Sequence, residues 1–125
     1  MNGTRPSLLV AACDAYLAGA FARRFEREGW DVRTVDNVKD AEHVAVQMRP
    51  SVLLLQTVCT PDPAAEVRRL RALPTMRKTH IVLLADHAHM PGVNAALASG
   101  AAEYLLEGHV IPAEAVEKMK RLVHA

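Results

Sequence analysis

The chain lacks an excess of charge, a long apolar run and a cysteine framework. Its 15 Lys and Arg against 14 Asp and Glu leave a net charge of +1. That balance gives no general pull toward nucleic acid or a membrane surface. No apolar run approaches the roughly 20 residues of a membrane span. The opening residues Met1-Asn2-Gly3-Thr4-Arg5-Pro6 carry no signal-peptide pattern and lead straight into a strand. Two cysteines without such a signal point to a reducing cytoplasm and no disulfide framework. Aromatic residues are only 4% of the chain, so its basic clusters have no interleaved rings on which bases stack. No Gly-x-Ser-x-Gly turn presents a nucleophile, no Cys/His spacing matches a zinc motif, and no linker, repeat or low-complexity stretch interrupts the sequence. These absences leave no enzyme chemistry placed by motif, no expected cofactor and no expected metal.

What is present is a core. Half of the 125 residues are hydrophobic, which excludes disorder and suffices for one domain, residues 1–125 with its core over 7–123. Apolar runs alternate with amphipathic ones. Strands are predicted at Ser7 to Ala12, Trp30 to Val35, Ser51 to Gln56, Ile81 to Leu84 and Ala102 to Leu106. Tyr16, Leu17, Ala20, Phe21 and Phe25 recur at helical spacing, with Asp14 as cap and Gly29 as stop. Asp36 or Asn37 caps a second helix over Lys39 to Met48, which Pro50 ends. Pro63 and Pro112 suit the first turns of a third and a last helix. A short fourth helix runs from Pro91 to Ser99 and closes at Gly100. Five strands alternating with five helices predict an α/β three-layer, flavodoxin-like (βα)5 sandwich with a parallel sheet of order 2-1-3-4-5.

Such a fold places its chemistry just outside the carboxyl ends of the strands. Gln56 ends the third strand there, and an amide is neither a nucleophile nor a useful acid or base. The run Arg49-Pro50-Ser51-Val52-Leu53-Leu54-Leu55 resembles the Arg-Pro-Asp-Leu-Val-Leu-Leu approach to the phosphoacceptor of bacterial response-regulator receiver domains. Ala98-Ser99-Gly100-Ala101-Ala102-Glu103-Tyr104-Leu105-Leu106 resembles the same family's Ala-Gly-Ala-x-x-Tyr-Leu stretch. The likeness covers nearly all of Ser7 to Val123.

The resemblance implies what should stand at each functional position, and the chain departs from it at all of them. The acidic pair falls on Ala12 and Cys13, the phosphoacceptor on Gln56, the hydroxyl residue on Ala85 and the lysine on Glu107. An acyl phosphate needs a carboxylate nucleophile, Mg²⁺ held by hard oxygens and a cation on the phosphoryl oxygens. The expectation is a degenerate phosphorylation pocket with no catalytic residue, that is, a pseudo-receiver. Gln56 is read either as a fixed mimic of one signalling state or as a side chain that merely fits.

The resemblance also implies a role in two-component-type signalling by protein–protein contact with a kinase, an effector or a second copy. Tyr104 is the candidate contact on the fourth-helix, fifth-strand, fifth-helix face, which is also the candidate homodimer face. Arg23, Arg24 and Arg27 on the first helix are a second candidate contact. Arg68, Arg69, Arg71, Arg77 and Lys78 read as a solvated basic face, and no nucleic-acid or membrane partner is expected. The chain is either stand-alone or a part of a larger regulator. The alternative function is a redox or metal sensor, because Cys13, Cys59, His87 and His89 should all lie at the carboxyl end of the sheet.

Overall fold

Adjacent parallel strands can be joined only by a crossover, and here every crossover is a helix. The computed structural model describes residues 5–124, with the side chain of His89 excluded, so the expectations placed on residues 1–4 and on Ala125 lie outside it. The strands are β1 (Ser7–Ala11), β2 (Asp31–Val35), β3 (Val52–Gln56), β4 (His80–Ala85) and β5 (Glu103–Leu106). The helices are α1 (Ala15–Arg27), α2 (Val38–Met48), α3 (Pro63–Arg71), α4 (Met90–Ala98) and α5 (Pro112–Val123). All strand pairs are parallel and their order is β2-β1-β3-β4-β5, as the alternation of elements predicts.

The helix boundaries follow from capping chemistry. Asp14 accepts the Leu17 N–H, Asn37 accepts the Asp40 N–H and Asp62 accepts the Ala65 N–H, each satisfying one orphan donor of a first turn. At α5 the cap is reversed: the Glu114 carboxylate reaches back to the Ile111 N–H at 3.1 Å. Gly100 closes α4 at φ +124°, and a Cβ there would stand 2.9 Å from Cγ of Arg71. Only glycine meets both conditions.

Period-two alternation divides each central strand between two cores. Leu8, Val10, Val52, Leu54, Val82 and Leu84 face α1 and α5, where Phe21, Phe25, Val116 and Met119 complete the layer. Leu9, Leu53, Leu55, Ile81 and Leu83 face α2, α3 and α4. With β1, β3 and β4 almost fully buried, the sheet is a rigid base for whatever its carboxyl edge carries.

Candidate functional site

The register brings the edge residues together. Ala11 pairs with Leu55, Gln56 with Leu84 and Ala85 with Leu106. Ala12, Gln56, Ala85 and Glu107 therefore gather at the carboxyl ends of four neighbouring strands, Ala12 level with Gln56, Ala85 one residue and Glu107 two residues further out, with Cys13 one residue beyond Ala12. Ala12 and Ala85 are buried methyl groups.

Gln56 is 3% exposed, so its amide needs partners inside the protein. Its Nε2 donates to Oε2 of Glu107 at 3.1 Å. Its Oε1 accepts the Asp14 N–H at 3.4 Å and lies 3.4 Å from Sγ of Cys59 and 3.7 Å from Sγ of Cys13. The side chain thus bridges β3 to the start of β5–α5 on one side and to the β1–α1 connection on the other. A glutamate at 107 explains the amide at 56: a second carboxylate would repel it, whereas an amide donates to it.

Cys13 and Cys59 are bonded to each other, with Cα atoms 5.7 Å apart across 46 residues. This corrects the expectation of no disulfide. The physical reason is that β1 and β3 are parallel neighbours, so the residues just beyond their ends converge. Cys13 also donates its backbone N–H to Sγ of Cys59 at 2.8 Å.

The described members of the expected Cys/His cluster do not all gather, and the side chain of its fourth member, His89, lies outside the description. His87 faces His109 instead, with Nε2 atoms 3.3 Å apart and ring planes at 78°. Bonded sulfurs offer no thiolate, and among the described residues no group of three or more His, Cys, Asp or Glu is placed to hold a metal ion. Mg²⁺ takes hard oxygen ligands, and of those at this edge the Glu107 carboxylate is bound to the Gln56 amide. Ala12 has no side-chain ligand atom, Cys13 is in the disulfide, and the Asp14 carboxylate is engaged as the α1 cap.

The basic run of α3 is not simply a solvated face. Arg68 donates to Ser99 Oγ, and Arg69 to Glu66 and Glu42. Arg71 donates to the carbonyls of Gly100, Met76 and Thr79, and its burial lowers its pKa. Glu66 itself is buried against α2. Loss of water pushes its carboxyl up to about 7, aided by a hydrogen bond with Glu42 and opposed by Arg69. Neither Glu66 nor His109 carries a sequence signal that sets it apart, and both stand out only in the structure.

Of the candidate contact residues, Tyr104 is half-buried against the α2–α3–α4 core. Arg23 and Arg27 are exposed, and Arg24 pairs with Glu28 at 3.4 Å. Three large apolar residues that stand out from the surface ring the carboxyl end: Tyr16 in the first turn of α1, Val58 after β3 and Ile111 before α5.

The chain is similar in structure to response-regulator receivers. The fold is that of a receiver domain. A CheY-like receiver from Methanospirillum hungatei matches with TM-score 0.87 at 15% identity, over 97% of this chain and 95% of that one. A response regulator from Thermotoga maritima matches with TM-score 0.85 at 16% identity, over 98% and 100%. The receiver domain of a sensor histidine kinase from Pseudomonas aeruginosa, which holds a magnesium ion in its active-site cleft, matches with TM-score 0.84 at 19% identity, over 98% and 100%. No family model matches the chain, and no curated protein matches it. Among the described residues no helix is long and apolar enough to cross a membrane.

Proposed function

We propose that the chain is a pseudo-receiver: a receiver-like module of two-component-type signalling that works without phosphorylation, by protein–protein contact. The observation that carries this reading is the hydrogen bond between Gln56 and Glu107. It fills the position of an acceptor carboxylate with an amide and the position of a phosphate-binding cation with an acid. Phosphoryl transfer gains its rate from positioning and from positive charge on the transferred oxygens. An anionic Glu107 opposes both, and the Asp14 carboxylate is engaged as the α1 cap. The module has no catalytic step.

Tyr16, Val58 and Ile111, exposed on the segments around the edge, are the apolar groups such a partner would cover. Arg23 and Arg27 add a cationic surface on α1 for an acidic partner, with Arg24 beside them in its pair with Glu28. Tyr104, with α4 and α5, is the face for an effector or a second copy.

The test is a titration with Mg²⁺ and beryllium fluoride, a phosphoryl mimic, followed by backbone amide NMR. Unchanged signals at Gln56, Ala85, Tyr104 and Glu107 are expected. Saturable shifts there would mean that an oxygen of the edge supports the chemistry and would overturn the reading.

A further inference from the structure

We propose that the Cys13–Cys59 disulfide is a reversible redox switch that sets the conformation of the carboxyl edge. The inference rests on the pseudo-receiver reading and supplies it with an input. These are the only cysteines of the chain, and the fold brings them together from 46 residues apart. Both lie on connections rather than in strands, so the bond joins the β1–α1 and β3–α3 connections at the edge of the sheet. Cys13 is exposed and Cys59 half-buried, which leaves the bond open to an attacking thiol.

What the bond holds is the site itself. Gln56 Oε1 packs against both sulfurs while its Nε2 binds Glu107. The disulfide, Gln56 and Glu107 form one continuous chain of contacts across the ends of β1, β3 and β5. Cys59 ends a single 3-10 turn (Thr57–Cys59), closed by the bond from Thr60 N–H to the Thr57 carbonyl. Tyr16 follows Cys13 by three residues and Val58 precedes Cys59, so two exposed apolar groups ride on the joined segments. Opening the bond releases Gln56 from the sulfurs, frees the 3-10 turn and moves the apolar surface that a partner would meet. The α1 cap at Asp14 is independent of the sulfurs and keeps α1 in place.

The chemistry is thiol–disulfide exchange with a dithiol. A thiolate of the dithiol attacks Sγ of the exposed Cys13. A mixed disulfide forms and Cys59 leaves as a thiolate. The second thiol of the reductant then attacks the mixed disulfide and expels the Cys13 thiolate. The reductant leaves as its own disulfide. Two electrons pass to the protein, and two protons complete its two thiols. Oxidation runs the same steps backward with a disulfide as oxidant.

The experiment is a redox titration of the whole chain in mixtures of reduced and oxidised dithiothreitol. Thiols are counted by alkylation and mass spectrometry, and backbone amide spectra are recorded along the series. The expected result is a reversible passage between no alkylated cysteine and two, with the chain monomeric on a non-reducing gel. Amide shifts should gather at residues 12–17, 56–60 and 107. Ser7, Ser51 and Thr79 at the opposite edge should stay fixed. Two free thiols under every oxidising condition, bonds between chains instead of within one, or shifts limited to the two cysteines would each overturn the proposal. Cys13→Ser and Cys59→Ser should each give a spectrum like the reduced parent and no response to the buffer. If either fails to fold, the parent titration decides alone. Repeating the beryllium fluoride titration in both redox states separates the two readings. A response to the mimic with the thiol shifts intact overturns the phosphorylation-blind reading only. Silence toward both overturns only the switch.

Discussion

At the scale of single residues, the edge is decided by one donor–acceptor pair. Gln56 and Glu107 are complementary because one is an amide and the other a carboxylate, and Gln56 is buried. Gln56→Glu sets two carboxylates within hydrogen-bonding reach, and like charges there force one to hold its proton. The cost is about 1–3 kcal/mol, the range for stripping a buried polar group of its partner. Urea unfolding at pH 7 should show that loss, and it should shrink on acidification. Adding Glu107→Gln to Gln56→Glu restores a donor opposite an acceptor and should recover most of the stability. If Gln56→Glu alone is as stable as the parent, the pair is not what holds the edge.

Between elements, α2 and α3 meet at a buried acid. Glu66 sits among Glu42 and Arg69, and burial holds its pKa at about 7 against an ordinary 4.5. The folded chain therefore binds a proton that the unfolded chain releases between those values. Glu66 stabilises most below pH 4.5, and its contribution is lost as pH rises toward 7. Glu66→Gln, which cannot ionise, should flatten that part of the curve and exceed the parent in stability above pH 7. Urea midpoints for both proteins across pH 4 to 8 measure it, and an unaltered slope would assign the effect elsewhere. The elements themselves were legible because their signals are local. Asp14 and Asn37 cap where the sequence suggests, Pro63 and Pro112 open helices, and Val52 to Leu55 reads as a strand buried on both faces. That Ala12, Gln56, Ala85 and Glu107 gather at one end of the sheet followed from the parallel strand order. Side-chain destinations were not legible. Arg68, Arg69 and Arg71 look alike as a charge run, yet Arg71 alone reaches three backbone carbonyls, because only its direction carries it under Gly100. The cysteines could be assigned to one end of the sheet. Their bonding depended on how two connections bend, which periodicity does not encode.

For the whole molecule, the disulfide encloses α1, β2, α2 and β3 in a covalent loop that runs from just past the end of β1 to just past the end of β3. A closed loop stabilises a fold chiefly by limiting the unfolded chain, since the native sheet already holds the two segments near each other. The 46-residue separation corresponds to about 4 kcal/mol in that treatment. That is a large part of the roughly 5–15 kcal/mol that holds a typical domain together. The two buried core layers do not involve the sulfurs, so the reduced chain should still fold. Reduction should therefore lower the unfolding free energy by about 2–4 kcal/mol while the folded circular dichroism spectrum stays the same. The urea m-value should rise, because an unfolded chain without the bond exposes more surface. Chemical unfolding with and without a dithiol measures both quantities. Equal midpoints would mean that the loop is not closed in solution. A reduced chain that no longer folds would mean that the bond, rather than the sheet and its two cores, holds the domain together.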